Sequence, residues 1–268
     1  MLEKKQILLT NDDGVLSPGL WAAAQALDAL GKVIVVAPRD QWSGAGRSLP
    51  AHSSGCIYEE TITVNGQAGK VYAIEGTPAQ AVLHGVLELL PRLPDLVVAG
   101  INYGENVGTG VTISGTIGAV LEGASMGIPG LAVSLQTDPQ YHLSYSTEID
   151  FVTAEFFTRK FAQILLNVQR PPDVDVLKVE IPQTATLETP WRMTRLSRTR
   201  YYVPQKPQRE KLTDRGSIGY LRRPEPDIFE PESDVQAMLD QVVSVTPLSL
   251  DLTSRVDLRE LGRLLSEG

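Results

Sequence analysis

The sequence has little of what several protein classes depend on. Its 268 residues include one cysteine, Cys56, which excludes an intramolecular disulfide and an all-cysteine zinc site. No apolar run reaches the roughly eighteen residues that a membrane-spanning helix needs. Lysine and arginine number 24 against 32 aspartates and glutamates, and the resulting net charge of −8 disfavours binding to nucleic-acid backbone. We therefore expect neither a membrane protein nor a partner of nucleic-acid polymers.

Familiar active-site signatures are missing as well. The sequence contains no P-loop motif, and the glycines between 100 and 110 do not fit the G-x-G-x-x-G dinucleotide fingerprint. The adjacent pair Asp12-Asp13 lacks the D-x-D spacing of aspartyl-phosphate phosphatases. There are only three histidines, and no serine lies in a G-x-S-x-G elbow, which disfavours a serine hydrolase.

The composition is otherwise that of an ordinary globular protein, with 42% hydrophobic and 21% charged residues. The length allows one large domain, or one domain with a smaller appendage. The N-terminal residues lead directly into a predicted strand and leave no room for a secretory signal, so we expect a cytoplasmic protein.

The first half of the chain alternates patterns typical of buried strands with patterns typical of helices. Continuous apolar runs that end in breakers indicate strands buried in a parallel sheet. Strand, helix and strand within about thirty residues indicates a right-handed βαβ unit. We predict an α/β fold with strands at 6–10, 32–37, 95–99, 131–134 and 242–246, an antiparallel extension at 57–64 and 71–74, and helices at 17–31, 77–90, 116–126, 149–168 and 258–265.

One stretch departs from this alternation. From 182 to 232 prolines and charges are frequent and no periodicity is evident, which favours an appendage in the form of a hairpin or arm. We expect a single domain over 1–268, with its core at 1–181 and 233–268 and the appendage at 182–232.

Three strands end in polar, glycine-rich loops, and in open α/β sheets ligands bind beyond the carboxyl ends of the strands. The first loop contains Asp12 and Asp13, whose mutual repulsion calls for a cation or hydrogen-bond donors. Oxygen ligands of this kind suit Mg²⁺ or Mn²⁺. The alternative is an ordinary Asx turn, since Asn-Asp-Asp-Gly is also favourable turn chemistry.

The second and third loops offer polar groups with two interpretations each. Ser43 could present its hydroxyl to a ligand or lie solvated in a flexible loop, and Arg47 could meet an anion or lie on the surface. Ser114 and Thr116 fall at the start of a helix, where hydroxyls and free N–H groups bind anions. The same residues are also common helix caps, and the two roles are compatible.

Taken together, these loops resemble the survival protein SurE family of metal-dependent nucleotide phosphatases. The resemblance rests on LLTNDDG, APRDQWSGAGRSLP and GINYGENVG followed by SGTIGAVLEG, with support from GTPAQAV, GIPGLAVS and VSVTPLSLDLT. It covers nearly the whole chain and is weakest between 182 and 232. It implies a Rossmann-like three-layer core with a mostly parallel sheet, a protruding hairpin, and a C-terminal arm exchanged between subunits of a homodimer or homotetramer.

The resemblance also implies hydrolysis of nucleoside 5′- and 3′-monophosphates, sometimes with acid-phosphatase or short-polyphosphate activity. It further implies a binding site for one divalent ion, Mg²⁺ or Mn²⁺, and a binding site for phosphate. Our leading hypothesis is hydrolysis by water that the ion activates; the alternative is a non-catalytic module that binds metal and nucleotide. The implied metal ligands are Asp12, Asp13, Ser43 and Asn102, of which the two aspartates are also catalytic, and the implied phosphate contacts are Asn106, Ser114, Gly115 and Thr116.

Four positions depart from the family pattern. Thr109-Gly110 replaces a frequent acidic residue, and Ile113 stands where a polar side chain is common. Gln80-Ala81 replaces aspartate-cysteine, and Glu232-Ser233-Asp234 replaces Gly-Thr-Asp. The expected metal ligands are intact, so these departures bear on substrate preference and turnover.

Overall fold

The computed structural model describes residues 4–64, 66–222 and 230–267. Eleven strands and six α-helices are described in these ranges. The strands are β1 (Gln6–Thr10), β2 (Lys32–Pro38), β3 (Ile57–Val64), β4 (Gln67–Ile74), β5 (Leu96–Tyr103), β6 (Gly130–Leu135), β7 (Val176–Ile181), β8 (Trp191–Met193), β9 (Tyr202–Gln205), β10 (Gly219–Arg222) and β11 (Val243–Leu248). The helices are α1 (Pro18–Asp28), α2 (Pro78–His84), α3 (Gly115–Ser125), α4 (Val152–Asn167), α5 (Asp234–Leu239) and α6 (Leu258–Glu267).

Nine of these strands form one sheet in the order β3-β4-β2-β1-β5-β6-β7-β11-β8. The six strands from β4 to β7 in this order run parallel to their neighbours, whereas β3 and β11 pair antiparallel with β4 and β7. Central strands are buried on both faces, which explains the continuous apolar runs in their sequences. The predicted α/β class and mostly parallel sheet are confirmed.

Helices cover both faces of the sheet. One core cluster lies under α1 and α4, and a second lies under α2 and α3. Phe157 and Phe161 of α4 are buried in the first cluster, so these aromatic side chains are core residues, as their helical spacing predicts. Gly19 of α1 lies so close to β5 that a Cβ there would sit 2.1 Å from the Ile101 carbonyl oxygen.

Several boundaries differ from the predicted ones. The strand β5 runs on to Tyr103, past a register shift between Ala99 and Asn102. The helix α2 ends at His84 and continues as a π-helical turn, Gly85–Leu89. Ser17 lies at the N-cap position of α1 but its side chain makes no capping hydrogen bond.

The segment from 182 to 232 contains more regular structure than its sequence pattern indicates. Its strand β8 joins the main sheet in parallel with β11, while β9 and β10 form a separate two-stranded antiparallel sheet. Residues 223–229 of the predicted appendage lie outside the described residues. Within the described ranges, no helix is both long enough and apolar enough to cross a bilayer.

Candidate active site

The three polar loops meet at the carboxyl edge of the sheet because β2, β1 and β5 are parallel neighbours. Backbone hydrogen bonds connect them: Trp42 N donates to Asp12 O over 2.7 Å, and Gly46 N donates to Ile113 O over 2.9 Å. A cavity of about 600 Å³ opens between them. Of the sequence-predicted residues, its lining includes Asp12, Ser43, Asn102, Asn106 and Ser114.

The turn after β1 is built by Asn11. Its Nδ2 donates to Gly14 O over 3.0 Å, and its Oδ1 accepts from Gly14 N over 3.2 Å. Gly14 has a φ of +93°, a conformation that favours glycine. The Asx-turn interpretation therefore accounts for Asn11 and leaves the carboxylates of Asp12 and Asp13 without a role in the turn.

Both carboxylates are buried, and no ion pair among the described residues involves either of them. Asp12 Oδ1 accepts a 2.5 Å hydrogen bond from Thr116 Oγ1, yet burial still raises the pKa of Asp12 above its ordinary value. Burial, and then the charge of Asp12, raise the pKa of Asp13 well above its ordinary value. Gln41 Nε2 donates to Asp13 Oδ1 over 3.1 Å, which only partly offsets these effects. A nearby cation would relieve this unfavourable pair.

The side chain of Asn102 is oriented by its own backbone surroundings. Its Nδ2 donates to Gly104 O over 2.7 Å and to Tyr103 O over 3.2 Å, which leaves Oδ1 as the atom available to a ligand. Ser43 is exposed at the opposite loop. Two carboxylates, one amide oxygen and one hydroxyl form the hard oxygen set that Mg²⁺ or Mn²⁺ prefers. The residues present fit a divalent ion of this kind, although within the described ranges no three His, Cys, Asp or Glu side chains cluster as ligands.

The first turn of α3 borders the same carboxylate. Ser114 is its N-cap and accepts from Ile117 N over 3.2 Å, so the capping interpretation is correct for Ser114. The hydroxyl of Thr116 is fully buried and directed at Asp12, so it positions that carboxylate. Gly115 permits this approach, because a Cβ there would lie 2.7 Å from the Asp12 Cβ. The N-terminal end of α3 carries a positive partial charge toward the cavity.

Beneath the loop of Asn106 lies a fully buried ion cluster of Lys178, Glu180 and Asp234. Lys178 Nζ lies 3.0 Å from Asp234 Oδ2 and 3.5 Å from Glu180 Oε1, and donates to Asn106 O over 2.9 Å. Asn106 N donates to Glu180 Oε2 over 2.8 Å, and Gly108 N donates to Asp234 Oδ2 over 3.0 Å. The cluster thus fixes the backbone of the loop that borders the cavity.

Burial raises the pKa of Glu180 to about 7, although the charge of Lys178 acts in the opposite direction. Sequence reasoning missed the ion cluster. The available signal was the strand VLKVEI, in which two charged residues interrupt a run that is otherwise apolar.

The cavity is also lined by an aromatic wall that sequence reasoning missed. It consists of His142, Tyr201, Tyr202 and Tyr220. His142 Nδ1 lies 2.9 Å from the Tyr220 hydroxyl, and the rings of Tyr202 and Tyr220 meet edge to face with centroids 5.1 Å apart. The available signal was the adjacent pair Tyr201-Tyr202, followed by Tyr220, in a chain with only 6% aromatic residues.

Ion pairs join the surrounding segments to the site. Arg222 Nε of β10 lies 3.0 Å from Oε1 of the buried Glu105, which ties the β9–β10 sheet to the loop after β5. Arg47 Nε lies 2.6 Å from Glu122 Oε2 on α3, so this arginine is already paired and does not serve as a free anion-binding group.

The positions that depart from the family pattern fall in different surroundings. Thr109, Gly110 and Ile113 line the cavity. Gln80 completes a capping box with Thr77 at the start of α2, and Asp234 belongs to the buried ion cluster.

Comparison with known proteins places the chain among close relatives. Residues 7–203 match the family model described as "Survival protein SurE". The chain is 40% identical to the 5′-nucleotidase SurE of Thermococcus gammatolerans, with 97% of this chain and 96% of the relative covered. It is 41% identical to the protein of the same name from Archaeoglobus fulgidus, with 94% of each covered. The crystal structure of the SurE protein from Aquifex aeolicus matches with a TM-score of 0.74 at 32% identity, covering 97% of this chain and 99% of that one.

Proposed function

The chain belongs to the survival protein SurE family, and on that premise we propose that it is a phosphatase that hydrolyses nucleoside 5′-monophosphates, and 3′-monophosphates as well, to nucleoside and phosphate. The relatives cited above carry the name 5′-nucleotidase, which supports the activity. The observation that carries the proposal for this chain is the single cavity into which Asp12, Ser43, Asn102 and Ser114 converge from three loops.

We propose that the enzyme depends on one divalent ion, Mg²⁺ or Mn²⁺, held by Asp12, Asp13, Ser43 and Asn102. When bound, such an ion supplies positive charge to the phosphoryl group and lowers the pKa of water. The support in this chain is the pair of buried carboxylates that lack a cationic partner among the described residues. Thr116 orients Asp12 through its short hydrogen bond, and Gln41 orients Asp13.

The phosphate would lie at the N-terminal end of α3. Ser114, Gly115 and Thr116 begin this helix, whose first N–H groups and dipole attract an anion. Asn106 faces the same cavity and donates from Nδ2 to Ser134 Oγ over 3.1 Å, and its backbone is fixed by the ion cluster. Donors held in place in this way stabilise charge that develops on phosphoryl oxygens, and losing one typically costs about 10²–10³ in rate.

We also propose that the protein self-associates through its C-terminal arm as a homodimer or homotetramer. The helix α6 is exposed along its entire described length, and no residue in the described part of the chain buries its leucines. Exposed apolar stripes of this kind are typical of interaction surfaces. The exposed leucines are Leu258, Leu261, Leu264 and Leu265.

The activity is tested by phosphate release from nucleoside 5′- and 3′-monophosphates, measured with Mn²⁺, with Mg²⁺ and with EDTA. We expect phosphate release to require the metal. Asp12→Asn should lower the rate of release below about a tenth of the wild-type rate and leave the circular dichroism spectrum unchanged. Asp28→Asn, at the exposed end of α1, is the matched control and should retain activity. Release that EDTA does not affect, or that survives in Asp12→Asn, contradicts the proposal. Tight nucleotide binding without release would instead support the non-catalytic module.

A further inference from the structure

The lining of the cavity combines two kinds of chemistry. Asp12, Asn102 and Ser114 suit an ion and a phosphate. The aromatic wall lines the same cavity, together with Ile113 and Ile218. Both isoleucines are largely exposed and add apolar surface. A ligand that uses all of this lining therefore needs an anionic group and a flat apolar group.

The aromatic wall is held in a defined arrangement. Tyr220 lies near-parallel to His142, with an interplanar angle of 24° and centroids 6.1 Å apart, and its hydroxyl is 2.9 Å from His142 Nδ1. Tyr202 meets both rings edge to face. Tyr201 is almost fully buried behind Tyr202, whereas 43% of Tyr220 is exposed. Tyr220 is thus a fixed ring whose surface is partly open.

The wall is anchored to the catalytic side of the cavity. The ion pair between Arg222 and Glu105 attaches β10 to the loop after β5, and Arg222 Nη2 also donates to Thr137 O over 2.8 Å. His142 packs against Gly104, where a Cβ would lie 2.5 Å from the imidazole Nε2. These contacts fix the aromatic wall against the loop that follows β5.

We propose that Tyr220, supported by Tyr202 and His142, is the subsite that stacks on the nucleobase of the substrate. The inference rests on the proposed function, and it assigns the preference for nucleotides over other phosphate monoesters to the aromatic wall. Stacking uses the π-face that every base possesses, so the subsite tolerates all four bases and rejects substrates that have none. It also explains why the cavity extends well beyond the groups that would bind metal and phosphate.

The test compares a nucleoside 5′-monophosphate with ribose 5-phosphate, which lacks only the base. Tyr220→Ala should lower kcat/KM for AMP by about 10-fold, through KM, because the base loses the aromatic ring on which it stacks. The ratio of kcat/KM for AMP to that for ribose 5-phosphate should fall by the same factor. Tyr220→Phe keeps the ring and should keep that ratio. Leu212→Ala, at a 90% exposed position between β9 and β10, is the control that should leave both rates unchanged.

Three results would overturn the subsite: an equal fall for both substrates, no fall for AMP, or a fall in Tyr220→Phe as large as in Tyr220→Ala. Failure of the proposed function is separate, since it would appear as wild-type protein that releases no phosphate from either compound. In that case the affinities of AMP and ribose 5-phosphate are measured by calorimetry for wild type and Tyr220→Ala. The subsite then predicts that the ratio of the two affinities falls in Tyr220→Ala.

Discussion

Replacing Lys178 with methionine tests how far the buried ion cluster stabilises the protein. The substitution keeps most of the side-chain length but leaves Glu180 and Asp234 buried without their cation and removes the donor to Asn106 O. Removing one partner from a buried ion pair costs about 3–5 kcal/mol. We expect a loss of this size in the free energy of unfolding at pH 8.

The loss should depend on pH because Glu180 titrates. The pKa of Glu180 is about 7 in the folded protein and 4.5 when unperturbed, so between these values the folded state binds more protons than the unfolded state. Its contribution to wild-type stability therefore falls as pH rises from 4.5 through 7, by up to about 3 kcal/mol at 1.36 kcal/mol per pKa unit. Lys178→Met removes the charge that lowers this pKa and moves it further up. The destabilisation should then be smaller at pH 5, where Glu180 accepts a proton, than at pH 8.

The assay is urea unfolding followed by circular dichroism at pH 5 and pH 8, with wild type, Lys178→Met and the double variant Lys178→Met/Glu180→Gln. The double variant lacks Glu180 and therefore has no pH dependence from this group. The difference in unfolding free energy between the double variant and wild type should change with pH only because Glu180 titrates in wild type. A Lys178→Met loss that is equal at both pH values, or below about 1 kcal/mol at pH 8, would refute the reasoning.

Three further predictions concern the loops and the arm. Thr116→Val removes the hydroxyl that orients Asp12 and should weaken apparent Mn²⁺ affinity or activity by about 10–100-fold in phosphate-release titrations, with Thr116→Ser close to wild type; equal behaviour of the two variants would contradict this. Gly118→Ala places a Cβ 2.2 Å from the Gly46 carbonyl oxygen and should displace the loop of Ser43, costing about 1–3 kcal/mol in urea unfolding together with most of the activity, whereas wild-type kinetics would show that the loop adapts. Deleting 258–267 should reduce the number of subunits in the assembly, as light scattering measures it. An unchanged number of subunits would exclude α6 from the interface.

Much of the fold could be predicted because its causes are local. Continuous apolar runs such as 6–10 specify strands that are buried on both faces, and parallel strands bring their terminal loops to one edge. This is why the three polar loops could be grouped from sequence although they are far apart in the chain. The choice of Asp12, Ser43 and Asn102 within them came from the resemblance to the SurE family. The direction of Thr116 could not be predicted, since a hydroxyl in the first helical turn can cap, bind an anion or reach a neighbour with equal ease.

The remaining site residues depend on long-range packing. Lys178 and Glu180 lie in a strand, and only the fold brings Asp234 to them and makes their charges compatible with burial. Tyr202 and Tyr220 lie in a proline-rich segment without periodicity, and they meet only because β9 and β10 pair. A sequence pattern reports how residues are spaced along a short stretch of chain. These contacts join residues that are far apart in sequence, so no such pattern reveals them.

The hydrogen bond from Gly108 N to Asp234 Oδ2 spans 126 residues of chain. During synthesis on the ribosome, the strands and loops that precede 182 emerge long before Asp234 does. The Asn106 loop therefore lacks this anchor until Asp234 has been made. A nascent chain can form its parallel sheet early, but the anchored loop becomes available only once synthesis has passed Asp234, so fragments that end before this residue should not release phosphate from nucleotides.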